Sequence, residues 1–267
     1  MLHQEKKLHQ SDGWDEGVIL DFLNDPSTRC YTIDLTGGGK LMLFAQNTSD
    51  IQSLSQQTDA LFRWLGVPHG FTLKLLWRDD PRTLAEGDWP SKRNVNGGFT
   101  YAGSNTIYVY RSEEWDRVVI HETIHALKWD WDMPANPLPC WKFKKSDTLS
   151  PALFEAWTEL YAEWLWCGWH NVSWKTQRDW QDYQATQILS RAAAKESWSE
   201  NTNVFAYYVL KAALAPHIAF LWMFGNGITE SERNHVLCEL VMPTLSKLRS
   251  TYVRPSALSL RMTVEKK

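Results

Sequence analysis

Several features that would assign a chain to a familiar class are missing here. There is no Cys-x-x-Cys pair: the four cysteines, Cys30, Cys140, Cys167 and Cys238, are scattered through 267 residues. That pattern argues against a disulfide framework and predicts buried, reduced thiols in a cytoplasmic or nuclear protein, with the cytoplasm as the default. There is no Lys/Arg run, and the net charge of −3 excludes the usual electrostatic footprint of a nucleic-acid binder or of a partner for an anionic membrane. No apolar run approaches the length of a membrane span. The best, Ala212 to Phe224, is short and interrupted by Pro216 and His217. Met1 to Asp12 is polar with no apolar core, so no secretory signal is expected. Internal repeats and low-complexity linkers are absent too, and no domain boundary is forced.

What remains is the composition of an ordinary soluble globular protein, 43% hydrophobic and 22% charged. The length suits one large domain or two lobes sharing a core. The unusual element is tryptophan, 16 in all, concentrated between Trp157 and Trp198. Each indole buries a large area, so the cluster reads as core bulk, with an aromatic substrate groove as the alternative.

Residues 1–17 read as a polar leader. Arg29 to Leu35 and Lys40 to Ala45 are β-rich runs around Thr36-Gly37-Gly38-Gly39, a hairpin. Ile51 to Leu65 has the apolar spacing of an amphipathic helix stopped by Gly66 and Pro68, and Phe71 to Trp77 is strand-like. Gly98 to Tyr101 and Thr106 to Tyr110 form a second predicted hairpin. Ser112 is placed to cap the next helix, with Glu113 and Glu114 in its first turn; that helix runs to about Trp129. Pro134, Pro137 and Pro139 keep 130–149 irregular. Ser150-Pro151 starts another helix, expected to end at Gly168. Trp174 to Ala194, Val204 to Phe224 and Glu230 to Leu248 read as helical, and the last residues as frayed. The fold class expected is α+β in a single domain: an α/β lobe over about 18–129 with a small mixed sheet and an edge strand, a two-helix metal-binding core, and a helical lobe over about 150–250.

The chemistry centres on Val118-Val119-Ile120-His121-Glu122-Thr123-Ile124-His125-Ala126-Leu127. Residues four apart share a helix face, so His121 and His125 can address one metal ion while Glu122 leans toward a water on it. This is the His-Glu-x-x-His arrangement of zinc hydrolases. The apolar flanks suit a metal-bearing helix buried in a domain; the bland reading is a helix with two surface or core histidines. A third ligand is needed. Lys128 and Trp131 occupy the positions where one large class has Gly and His, which excludes that class. Phe154-Glu155-Ala156-Trp157-Thr158-Glu159 offers Glu155 as the ligand and Glu159, one turn on, as its support against a histidine ring. Glu159, Glu163 and His170 are the rivals to Glu155, and a solvated acidic stripe is the bland reading of all three glutamates.

On His121, Glu122, His125, Glu155 and Glu159 the chain resembles the gluzincin metallopeptidases, the class of thermolysin and the zinc aminopeptidases. The resemblance covers those two segments and, elsewhere, only element order. It implies one Zn2+ per chain, a peptide or protein substrate, and Glu122 as the general base. It also implies an oxyanion donor from a downstream helix, Tyr208 in the first instance, with Tyr207 and His217 as alternatives. Gluzincins use an edge strand upstream of the metal helix to hold extended peptide. Asn96-Gly97-Gly98-Phe99-Thr100 falls in that order, so Gly97, Gly98 and Phe99 are the expected substrate-binding residues, against a plain glycine turn. The acid that zinc aminopeptidases carry there is absent from Asn96 to Tyr101, which sets this chain apart from them. A catalytically inactive zinc-binding scaffold, and a hydrolase of non-peptide amides on the same site, are the alternative functions.

Overall fold

The computed structural model describes residues 18–47, 51–130, 140, 153–193, 202–222, 230–251 and 253–265. The expected start at Ser150-Pro151 lies outside them, as does Trp198. The described chain is mixed α and β and separates into two compact units, one of residues 1–82 and 95–129, the other of 83–94 and 130–267.

In the first unit, β1 (Arg29–Asp34) and β2 (Lys40–Ala45) form the predicted hairpin. Helix α2 (Ile51–Leu65) then carries the chain to β3 (Thr72–Trp77), which runs parallel to β2. Strand β6 (Thr106–Val109) is parallel to β3, and β5 (Gly98–Thr100) closes the sheet in the order β1-β2-β3-β6-β5. The pleat divides the side chains. Met42, Phe44, Leu76, Phe99, Tyr108 and Tyr110 pack with Ile19, Phe22 and Leu23 of α1 (Val18–Asn24). The alternate set, Leu41, Leu43, Leu73, Leu75, Ile107 and Val109, is fully buried on the opposite face. Helix α2 ends where expected: Gly66 takes φ +66 and the Val67 amide donates to the Phe62 carbonyl at 2.9 Å, closing the last turn.

Asp59 on α2 ties down the β1–β2 turn. Its carboxylate accepts from the Thr36 hydroxyl at 2.5 Å and the Gly37 amide at 2.8 Å, and Arg63 lies 3.0 Å away. The Thr36 and Gly37 hydrogen bonds hold its carboxyl below the usual range. The unfolded value is about 3.9, so the stabilisation is complete above that pH and is lost as pH falls through the lower folded value. Asp59→Asn is expected to cost about 1–2 kcal/mol at neutral pH. It should also flatten the acid limb of a urea-stability profile, and an unchanged limb would contradict this account.

The second unit is mainly helical. It holds α4 (Leu153–His170), α5 (Trp174–Ala193), a π-helical segment (Phe205–Leu210) continued by α6 (Lys211–Leu214) and α7 (Ile218–Trp222), and α8 (Glu230–Ser250). Trp157 and Trp166 are fully buried and supply the expected core bulk, whereas Trp164 is 41% exposed. Helix α4 passes through Gly168, the predicted stop. It ends at His170, where Asn171 adopts φ 54 and the Val172 amide donates to the Cys167 carbonyl.

Beyond α8 the described residues pack back on the unit; the last two, 266 and 267, lie outside them. Short strand β7 (Leu258–Ser259) pairs with β4 (Thr83–Leu84), and Leu258, Leu260, Met262 and Thr263 are buried. A polar face of α5 reads the backbone of this strap. Gln177 donates to the Met262 carbonyl at 2.7 Å and accepts from the Val264 amide at 3.0 Å. Gln184 donates to the Ser259 and Arg261 carbonyls at 3.0 and 2.6 Å, and the Trp180 indole to Arg261 at 3.0 Å.

The cysteine reading is corrected as well. Cys140 and Cys238, 98 residues apart, form a disulfide; Cys30 and Cys167 are not in one. Sequence separation says little about proximity in a folded chain, and the pairing removes the thiol argument for the cytoplasm. Burial pushes the Cys167 thiol up to about 12, which makes it an inert core group. No helix among the described residues is long and apolar enough to cross a membrane.

Candidate metal centre

Helix α3 (Trp115–Ala126) carries the two histidines. It does not begin as the sequence suggests. The Ser112 hydroxyl donates to the Arg78 carbonyl rather than capping, and Glu113 and Glu114 precede the helix. Glu114 adopts φ 56, a left-handed conformation uncommon outside glycine. An ion pair holds it there: Arg82 Nη1 lies 3.2 Å from Glu114 Oε2, both side chains being 1% exposed, while Glu113 accepts the Arg82 amide at 2.6 Å. The start of the histidine helix is therefore fixed by a residue 32 positions upstream, which local signals cannot reveal. At the other end Lys128 takes φ 56 and the Trp129 amide closes on the Ile124 carbonyl.

On this helix His121 and Glu122 are buried and His125 is half-buried. The two imidazole Nε2 atoms stand 3.1 Å apart, with the rings edge to face at 75°. Helical spacing thus brings both rings to a single point, as the sequence implies.

The expected substrate segment is placed differently in detail. Strand β5 is an edge strand, pairing through Gly98–Val109, Phe99–Tyr108 and Thr100–Ile107. Yet Phe99 is a core residue, stacked on Tyr108 with ring centroids 4.5 Å apart. The space beside the glycines is also filled from within. A Cβ on Gly97 would lie 2.0 Å from Arg82 Nη2, and one on Gly98 would lie 2.5 Å from the Tyr108 carbonyl oxygen and 3.3 Å from Glu122 Cγ. These glycines let β5 press against the ion pair and the helix, so their absent side chains serve internal packing. Only the backbone edge of β5 remains as a candidate for strand addition.

In the second unit, Glu155, Glu159 and Glu163 follow one another along α4. Glu159 and Glu163 are buried and Glu155 half-buried, so no solvated acidic stripe forms. Glu163 is committed elsewhere. One carboxylate oxygen forms an ion pair with Lys211 and the other accepts from Gln177 and Gln181. Burial pushes its carboxyl up while Lys211 draws it back. Its candidacy as a metal ligand is thereby overturned.

The tyrosine expectation is corrected too. Tyr208 is fully buried and its hydroxyl donates to the Leu260 carbonyl at 2.9 Å, leaving it no role as an oxyanion donor. Its half-buried neighbour Tyr207 donates to Glu155 Oε2 at 3.1 Å instead. Adjacent helical residues point about 100° apart, and the π-helical turn shifts the count further, so helical spacing from the sequence could not choose between them. His217 is half-buried in a single 3-10 turn (Ala215–His217). Burial lowers its pKa, with Arg178 acting in the same sense. Compared with protein-family models, with curated proteins and with solved structures, the chain finds no match in any of the three.

Proposed function

We propose that the chain is a metal-dependent hydrolase of amide bonds, a peptidase of gluzincin type. In this reading His121, His125 and Glu155 hold one divalent ion, Glu159 supports the site, and Glu122 is the general base. The observation that carries the reading is the pair of Nε2 atoms 3.1 Å apart on one buried helix face next to Glu122. Two imidazole nitrogens so close either share a proton or turn both lone pairs to a common cation. Ligands 2.0–2.1 Å from a tetrahedral zinc stand about 3.3 Å from one another, which this pair fits. Glu155 is the third ligand that the sequence offers, one turn before Glu159. Two nitrogens and one carboxylate suit zinc and leave a position open.

When bound, such an ion supplies a Lewis acid and makes water a better nucleophile at neutral pH. The chain's own residues do the rest. Glu122 follows His121 directly and has an acceptor carboxylate, so it takes the proton of the attacking water and returns it to the departing amine. Tyr207, not Tyr208, is the tyrosine of this reading: its hydroxyl donates to the Glu155 carboxylate and would orient that ligand. The backbone edge of β5, whose Gly98 lies against the Glu122 stem, offers an extended peptide a strand to pair with.

Metal content tests it. Purified protein is expected to carry one zinc per chain, with His125→Ala and Glu155→Ala each losing it in elemental analysis. Retention after Glu155→Ala would remove Glu155 from the site, and a wild-type chain that takes up no metal on reconstitution would overturn the reading. Metal held without cleavage of any peptide in a broad library would leave a binding protein.

A further inference from the structure

Two residues of one helical stretch reach α4. Tyr207, in the π-helical segment, gives its hydroxyl to Glu155 at 3.1 Å, and Lys211, four residues later at the start of α6, forms an ion pair with Glu163, eight residues after Glu155. The first link is half-buried. The second is wholly buried, and its surroundings are fully specified. Glu163 also accepts from Gln177 at 2.7 Å and from Gln181, while Lys211 Nζ lies 3.7 Å from Met262 Sδ and 5.6 Å from the Tyr208 ring centroid. Desolvation offsets much of the attraction in such a pair, so it is a weak source of stability, and fixing register is its best-attested use. Between the two links the backbone changes from π to α, and short π turns are frequent at functional sites.

We propose that Lys211 is a positioning residue whose buried pair with Glu163 sets the π-helical turn against α4, so that the Tyr207 hydroxyl meets Glu155. The proposal deepens the metal-site reading and rests on it, because Glu155 is a ligand only there. Lys211 touches neither metal nor substrate. It acts through Tyr207.

The test places 3-fluorotyrosine at position 207 of the full chain and follows its fluorine resonance, together with zinc affinity by chelator competition. Wild type is compared with Lys211→Met/Glu163→Gln, which removes both charges together and avoids an unpaired buried carboxylate. The double variant is expected to unfold cooperatively, to shift the 207 resonance, and to bind zinc about tenfold more weakly, within the range for groups that orient a ligand. Lys211→Arg keeps the charge on a differently shaped arm and serves if the double variant fails to fold; it too should displace the resonance. A folded variant with the wild-type resonance and wild-type zinc affinity would overturn the proposal and leave a purely structural pair. Wild type that takes up no zinc would defeat the metal reading, while the fluorine signal would still decide whether Lys211 sets the turn.

Discussion

Glu122→Gln is expected to keep its metal and to lose between about a hundredfold and ten-thousandfold in peptide hydrolysis, the range attached to a positioned general base. Gln preserves size and shape, so the packing of the Glu122 stem against Gly98 survives. What it removes is the ability to accept a proton from water and pass it on. His121 and His125 are untouched, so zinc per chain and the thermal midpoint should match wild type. The measurement is kcat on a fluorogenic peptide found in the library screen, beside metal analysis of the same preparation. A variant that retains full rate with full metal would place the base elsewhere. One that loses its metal would make Glu122 a ligand instead of a base.

Gly98→Ala carries the largest expected effect on folding. The new methyl would lie 2.5 Å from the Tyr108 carbonyl oxygen and 2.6 Å from Val118 Cγ1. The first is backbone of the partner strand, which yields only if the β5–β6 pairing breaks. The second belongs to the histidine helix. Overpacking of this kind costs about 1–3 kcal/mol and sometimes more; a backbone contact belongs at the upper end, so about 3 kcal/mol is expected, or a midpoint roughly 6–12 °C lower for a chain of this size. Gly97→Ala should cost less, because its close contact is the end of the Arg82 side chain, which can swing at the expense of its pair with Glu114. Thermal and urea unfolding of the two variants would check both the size and the order. If Gly98→Ala were as stable as wild type but weakened peptide binding, the glycine would instead be there for a ligand's approach.

These two residues also show what the sequence could reveal. The His121–Glu122–His125 constellation was legible because its geometry is set by helical pitch alone, a relation among residues at most four apart. The hairpin around Gly37 and the helix ending at Gly66 were legible for the same reason. What escaped was set by distant partners. Ser112 has the right chemistry for a cap, but Arg82 fixes where α3 begins through Glu113 and Glu114. Gly97 and Gly98 read as permissive, although the groups that fill their space are Arg82, Val118 and the Tyr108 carbonyl. Trp174 to Ala194 reads simply as helical, and nothing in it announces that Gln177, Gln181 and Gln184 are fully buried, two of them on strap backbone. A helix in place of the expected stop at Gly168 is a smaller matter, since a single internal glycine costs about 1 kcal/mol.

The strap has a consequence for how the protein comes into being. Thr83 and Leu84 can complete their ladder only with Ser259 and Leu258, and the glutamines of α5 await carbonyls that follow them by some eighty residues. During synthesis these strap contacts of the second unit therefore cannot form until residue 264 has emerged, whereas the sheet of the first unit has all its strands by residue 109. At a ribosomal pace of roughly 5–20 residues per second, the 138 residues between the end of the histidine helix at Ala126 and residue 264 take about 7–28 seconds to appear. The order of birth is thus histidine helix first, strap last.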